Sequence, residues 1–535
     1  MKMTKILNLN KESVAGALKR GDVTISIAGL KQLGISLAAL FAEEGAKVIG
    51  CDTNPNIVNL VNKGETDIIE RDISWLMKEE APGKTAAELA QGTCPNCRVA
   101  LLNFQGDVFC PSCGRLMELD QYGVHIKGLS QQYKKAFEKS ITLKELIKKN
   151  VEKNKFEATT DLFEAFLKSD VAIITVDAVV GPPPDYPPDF SALTEVCKSL
   201  GGALKKGDLV IMKGTVTPGT TEGLVKTLLE NKSRLKAGSH FGLAYMPERA
   251  GEGNALFELK TSPKILGGVD QKSLSATAAL FSVFPASIYP VSGIKVAETA
   301  KLIEGIYSDV SIAFSNEIAL ACQKLGVDVI DVINVANMHP GNHIPFPSPV
   351  GGKNPHDSLF LFSFQTVRLG YSPQLITWGR RVNEDMPHHI LEMVKDAFIA
   401  MGAPIKGSNV AVLGVSSKAD TASIENSPSF RVIETLIQEG AKVAVHAPYA
   451  NLDLVGIHLR EVTSITRDVK DALKHAQCAV IMVDHAEYKY LPPSDFAKRM
   501  KKRASIIDVK RILDPAKVIK AGLIYRGIGY PSIQT

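Results

Sequence analysis

Val23-Thr-Ile-Ser-Ile-Ala-Gly29-Leu-Lys31-Gln-Leu-Gly34 begins as a strand-length apolar run and ends in glycines spaced for a tight turn. A helical pattern follows over residues 34–44, and Ala46-Lys-Val-Ile-Gly-Cys-Asp52 is a second apolar run closed by an acid. Strand, glycine turn, helix and acid-tipped strand make a βαβ unit of the dinucleotide-binding kind rather than a generic α/β repeat. In such a unit a pyrophosphate sits at the helix N-terminus and the acid accepts hydrogen bonds from a ribose. Gly29, Lys31, Gly34 and Asp52 are therefore candidate cofactor-binding residues. The middle glycine of the G-x-G-x-x-G pattern is Lys31. Its long cation either supplies charge to a phosphate or obstructs the approach to bare backbone.

The α/β alternation continues outward from this unit. Asp170-Val-Ala-Ile-Ile-Thr-Val176 and Asp208-Leu-Val-Ile-Met212 read as strands, the first leading into the Pro-rich Gly181-Pro-Pro-Pro-Asp-Tyr-Pro-Pro. The second leads into Lys213-Gly-Thr215-Val-Thr-Pro-Gly219-Thr-Thr, and a further strand ends in Pro247-Glu248-Arg249. Loops after strand C-termini are where open α/β sheets bind ligands. Residues 293–326, with Pro290 before and Gly326 after, have the period of one long helix that includes Lys301. Val296, Ala300, Ile303, Tyr307, Val310 and Phe314 recur along one stripe, as a dimer face would. Residues 328–336 read as a helix and 345–355 as a Pro/Gly-rich loop. A second α/β domain follows, with apolar runs at 409–414, 442–445, 478–483 and 505–508. Its first helix has Ser427 as N-cap and Pro428 at the opening position.

Between the βαβ unit and residue 142 lies a segment of different character. Cys94-Pro-Asn-Cys97 and Cys110-Pro-Ser-Cys113 are two C-x-x-C knuckles with hairpin-like flanks, the spacing of a tetrahedral structural zinc site in preference to iron. Four thiolates leave no open ligand position, so this metal is not catalytic. Eight cysteines in a chain of this size do not suggest a disulfide scaffold, and four in one tight pattern point to metal in a reducing compartment, while a start without a signal-peptide core gives the expectation of a cytoplasmic protein. A formal charge of +5 over 535 residues is too slight to argue for nucleic acid. Apolar runs of strand length argue against a membrane span. The fold class is α/β: two Rossmann-like doubly wound domains joined by a long central helix, with an inserted four-cysteine zinc ribbon. The expected boundaries are an extension over 1–22, a dinucleotide-binding domain over 23–290 with the insertion near 80–140, a central helical dimerisation region over 291–390, and a C-terminal domain over 391–535.

The order of these motifs resembles the nucleotide-sugar dehydrogenase family, whose members act on UDP-glucose, GDP-mannose or UDP-N-acetylmannosamine. The stretches that carry it are 29–38, 48–52, 207–221, 245–249, 297–304, Ser315-Asn-Glu317, Gly351-Gly352, Arg380-Arg-Val-Asn383, 414–421 and Ser427-Pro428. The resemblance implies NAD in the first domain, a small-molecule nucleotide sugar held near the second, and a homodimer. It implies that a primary alcohol is oxidised twice, through a cysteine-bound aldehyde and thioester. Lys301 resembles the family's oxyanion-stabilising lysine, Thr215 its loop threonine, Glu248 its Pro-Glu acid and Asp357 the acid near the nucleophile. Gly351, Gly352 and Lys418 resemble substrate-binding positions, and Thr215 also lies beside the cofactor.

The sequence departs from the pattern at the reactive centre. Where the family has its cysteine, this chain reads Gly351-Gly352-Lys353-Asn354-Pro355-His356-Asp357, with Asn354 in place of the thiol. The asparagine one turn after the lysine is Gly305, the arginine of the second domain's R-x-S-P motif is Glu425, and V-P-T-P becomes Val176-Asp177-Ala178-Val179. His356 is a further candidate base. The expectation is a nucleotide-sugar dehydrogenase-like oxidoreductase that does not use the thioester route. The alternative is a non-catalytic or altered-chemistry relative that binds a nucleotide or a protein partner.

Overall fold

The structure is a computed structural model that describes residues 6–8, 11–68, 102–104, 107–109, 115–120, 123–129, 142–183, 185–251, 255–339 and 341–531. The chain divides into two compact units. The first is Met1–Glu304 with Phe360–Ser372, and the second is Gly305–Leu359 with Pro373–Thr535.

In the first unit the apolar runs become strands of one eight-stranded sheet. From edge to edge they are Ile288–Pro290, Lys264–Gly268, Gly242–Tyr245, Leu209–Met212, Val171–Ile174, Thr24–Ala28, Lys47–Cys51 and Phe156–Thr159. All neighbours are parallel except Gly242–Tyr245 with Lys264–Gly268. The strand order reverses between Thr24–Ala28 and Val171–Ile174, the switch point at which doubly wound sheets bind ligands. Every side chain of Val171–Ile174 and Leu209–Met212 is buried, as a parallel strand covered on both faces requires. The expected N-terminal extension is part of this core. Ile6, Val14, Ala17 and Leu18 are buried in the cluster that holds the first strand.

Between the helices Pro55–Asn62 and Leu143–Glu152, the strands Leu102–Phe104, Asp107–Phe109, Arg115–Asp120 and Gly123–Leu129 form an antiparallel four-stranded meander. Cys94, Cys97, Cys110 and Cys113 lie outside the described residues.

The second unit has an all-parallel six-stranded sheet in the order Ser464–Thr466, Lys442–His446, Asn409–Leu413, Cys478–Ile481, Ser505–Asp508 and Ile524–Gly527. Its order reverses between Asn409–Leu413 and Cys478–Ile481, a second doubly wound sheet with its own core. Ser427 caps the helix Pro428–Gln438 with Pro428 in its first turn.

The long helix is Ile294–Leu325. One expectation is corrected nearby. The loop expected over 345–355 gives way at Lys353 to the helix Lys353–Arg368, so Asn354, His356 and Asp357 are helical. Pro355 does not prevent this, because first-turn amides have no intrahelical acceptor and a missing N–H there costs nothing. Among the described residues no helix is long and apolar enough to cross a membrane.

Candidate active site

The first turn of the first sheet is built for a close approach. Gly29 has φ +98°, and a Cβ there would lie 2.8 Å from Thr175 Oγ1. A Cβ at Gly34 would lie 1.8 Å from the Gly29 carbonyl oxygen, so helix and turn pack too tightly for any side chain. Lys31 stands between them as the N-cap of Gln32–Glu43, in ordinary extended geometry, exposed, and making no side-chain cap. The helix's first amides thus have no side-chain cap from Lys31, which favours an anion. Asp52, just past the second strand, accepts the Leu30 amide on Oδ2 (2.8 Å) and the Asn54 amide on Oδ1 (2.9 Å). A carboxylate has about four acceptor positions, so capacity remains for ribose hydroxyls. Close-packed glycines, bare amides and a positioned acid fit a dinucleotide.

Across the switch point the loops after Val171–Ile174 and Leu209–Met212 are joined. The Thr215 amide donates to Asp177 Oδ1 (2.8 Å), and the Ala178 amide donates to the Thr215 carbonyl (2.9 Å). A Cβ at Gly214 would lie 2.0 Å from the Val176 carbonyl oxygen. The next stretch is tied to the long helix by Glu298, which is fully buried and accepts the amides of Gly219 (2.5 Å) and Thr221 (2.8 Å).

Lys301, three residues on, is 8% exposed. Its ammonium has no hydrogen-bond or ion-pair partner among the described residues. Burial drives it below the ordinary lysine range, against the pull of Glu304, Glu248 and Asp177. Two of these acids are committed elsewhere. Glu304 grips Arg249 through both oxygens (2.8 and 3.2 Å). Glu248 lies 3.2 Å from Lys213 Nζ and accepts the Arg249 and Ala250 amides. Burial works to raise Glu248, but the ammoniums of Lys213 and Lys264 prevail and hold it below the usual carboxylate range.

The remaining candidates belong to the second unit. A Cβ at Gly351 would lie 2.9 Å from Pro428 Cδ, and the Gly352 amide donates to the Glu425 carbonyl (3.2 Å), so the double glycine packs on the loop before Pro428–Gln438. Lys418 is exposed on the loop after Asn409–Leu413. Asp357 is buried, with His356 Nδ1 at 3.0 Å and Lys353 Nζ at 4.0 Å. Asn354 is exposed, and its Oδ1 accepts from Ser358 Oγ (3.2 Å). A Cβ at Gly305 would lie 2.4 Å from Ser358 Oγ, so the small residue is what admits the helix Lys353–Arg368. Arg380 and Asn383 both reach Asp309, and Asn316 links Asn383 to the Ser348 carbonyl, a buried network that stitches these helices together.

The sequence reading passed over Glu298, Lys213 and the Arg249–Glu304 pair. A sequence signal existed for Glu298, and strand pairing reveals Lys213. Glu298 and Lys301 share a helix face at i, i+3. Met212 pairs with Tyr245 in the sheet, so the charges just beyond them, Lys213 and Glu248, leave neighbouring strands.

Comparison with known proteins agrees with this architecture. The UDP-glucose/GDP-mannose dehydrogenase family matches in its NAD binding domain over residues 23–100 and 115–285, its central domain over 295–385 and its UDP binding domain over 411–515. UDP-N-acetyl-D-mannosamine dehydrogenase of Pyrococcus horikoshii is 28% identical over 507 residues, 94% of this chain and 99% of that protein. The enzyme of the same name from Methanocaldococcus jannaschii is 30% identical over 332 residues, 61% of this chain and 71% of that one. Among solved structures, UDP-D-ManNAc dehydrogenase from Pyrococcus horikoshii superposes with a TM-score of 0.73 at 26% identity, covering 95% of this chain and 99% of that one. NDP-N-acetyl-D-galactosaminuronic acid dehydrogenase from Methanosarcina mazei gives 0.69 at 27%, covering 98% of each. With all three domains matched in order, the chain belongs to the UDP-glucose/GDP-mannose dehydrogenase family.

Proposed function

We propose that this chain is an NAD-dependent oxidoreductase that takes the alcohol of a UDP- or GDP-sugar one step, to the carbonyl, with Lys301 as proton acceptor. The observation that carries the reading is the Lys301 amine, buried, without a partner among the described residues and held below the ordinary lysine range. That is the condition a general base for an O–H needs. When bound, NAD supplies a hydride acceptor. The Gly29 turn, the bare amides of Gln32–Glu43 and Asp52 bind it, and Lys31 adds positive charge near its phosphates. Thr215 hydrogen-bonds the reacting oxygen while Lys301 takes its proton. Glu248 acts as an anchor for Lys213 rather than as a proton carrier. On the second unit, Gly351, Gly352, Lys418 and Asp357 are the residues for binding the nucleotide sugar. The absence of a thiol at 354 supports a single oxidation. Cys51, Cys197 and Cys478 cannot replace it, since burial pushes each up to about 12.

The test is NADH yield with UDP-N-acetylmannosamine, UDP-N-acetylglucosamine, UDP-glucose and GDP-mannose. One NADH per sugar consumed is expected, and Lys301→Met should lower kcat by about 10²–10⁴-fold. Two NADH per sugar would overturn the single-step reading. NAD binding with no turnover on any sugar would favour the non-catalytic alternative.

Two further features complete the proposal. The knuckles Cys94–Cys97 and Cys110–Cys113 hold a structural zinc in a cytoplasmic protein, a reading supported by their spacing and checked by metal analysis. The chain also forms a homodimer. Tyr307 and Phe314 on the long helix, and Leu375 and Trp378 on Gln374–Met401, are each more than half exposed, and large apolar side chains left in water are what a partner surface would cover.

A further inference from the structure

We infer that Asp177 is a positioning residue, which holds Thr215 in the active site through its backbone and adds its charge to the field at Lys301. The inference rests on the function proposed above and deepens it. The strands Val171–Ile174 and Leu209–Met212 are paired, and their ladder runs on into the loops, with the amides of Lys213 and Gly214 both donating to the Ile174 carbonyl (2.8 and 3.2 Å). Beyond that point the pairing is part side chain and part backbone. Asp177 extends it with a side chain, accepting the Thr215 amide, while the Thr215 carbonyl takes the Ala178 amide. A proline at 177, as in the V-P-T-P pattern, has no oxygen to offer there. The glycine at 214 completes the arrangement, because the Val176 carbonyl occupies the space a side chain would need.

The same carboxylate adds its charge, after those of Glu304 and Glu248, to the pull that keeps the proton on Lys301. The charged groups around that amine are Glu304 on its own helix, Glu248 and Arg249 past the strand Gly242–Tyr245, and Asp177. Arg249 opposes the acids and is gripped by Glu304, while Glu248 is held by Lys213. Of the three acids, Asp177 is the one that also accepts the Thr215 amide.

Two substitutions separate these effects. Asp177→Asn keeps a carbonyl oxygen for the Thr215 amide and removes the charge. Asp177→Ala removes both. With the anion gone Lys301 loses its proton at lower pH, so the acid limb of the kcat profile should move down by roughly half a pH unit or more in both variants. KM for the sugar nucleotide should change less than about twofold in Asp177→Asn and rise several-fold in Asp177→Ala. Reductive methylation with ¹³C-formaldehyde lets the Lys301 amine be titrated by NMR without turnover. A downward shift there is expected in both variants. If wild-type protein turns over no sugar, the functional reading fails while this titration still decides the role of Asp177. An unchanged Lys301 titration in Asp177→Asn, or equal KM in the two variants, would overturn the inference.

Discussion

Gly305 and Asn354 illustrate how a missing catalytic side chain becomes a packing decision. Read from the chain alone they were two separate losses, an amide and a thiol. In the fold both touch Ser358, Gly305 by the space it leaves and Asn354 by the hydrogen bond it accepts. An asparagine at 305 would drive its Cβ into the Ser358 side chain. We expect Gly305→Asn to cost about 1–3 kcal/mol, read as a melting temperature lower by several degrees. Adding Asn354→Cys to it should leave NADH yield at one per sugar, and recovery of a second NADH would show that the site tolerates both. Other residues were legible from the start. Gly29, Gly34 and Asp52 could be named because a tight turn and an acid-tipped strand impose residue types at fixed spacing. The burial of Lys301 was not legible, since it depends on which face of a 32-residue helix the loops cover.

The strands were readable because buried parallel strands are unbroken apolar runs, and nearly every run became one. The start of Lys353–Arg368 was hidden by the glycines and prolines that precede and begin it. The long helix gave a subtler result. The stripe Val296, Ile303, Tyr307 and Phe314 has a clear period, yet these side chains are exposed and Ile294, Ala297, Leu302 and Ile306 are buried. Periodicity locates a helix face without saying whether it meets core or partner. The inserted meander was not legible as four strands, and the two cysteine knuckles lie outside the described residues. Leu102 pairs with Phe109 in the hairpin that the described part of the insertion contains. Purified protein is expected to contain about one zinc per chain, lost with thiol-specific reagent. Metal analysis showing none, with all four thiols reactive, would remove the site.

As a whole the molecule carries two doubly wound sheets, each with its own core, and the strand order of both follows from topology that no local pattern encodes. The resemblance supplied what periodicity could not. Light scattering is expected to give twice the chain mass, and Phe314→Asp with Trp378→Asp should yield a monomer. A monomeric wild-type protein at micromolar concentration would contradict the proposed dimer. The division into units also has a consequence for how the protein is made. The first unit is not contiguous. It needs Phe360–Ser372, where Phe360 stacks on Tyr186 at 3.8 Å between ring centroids and Leu361 enters the core beside Ile174 and Met212. A ribosome that has finished Glu304 must therefore deliver a stretch of the other unit before the first can close, a wait of several seconds at roughly 5–20 residues per second. No single cut in the chain separates one unit cleanly from the other, and a gene split at residue 304 would encode a first half lacking part of its own interior.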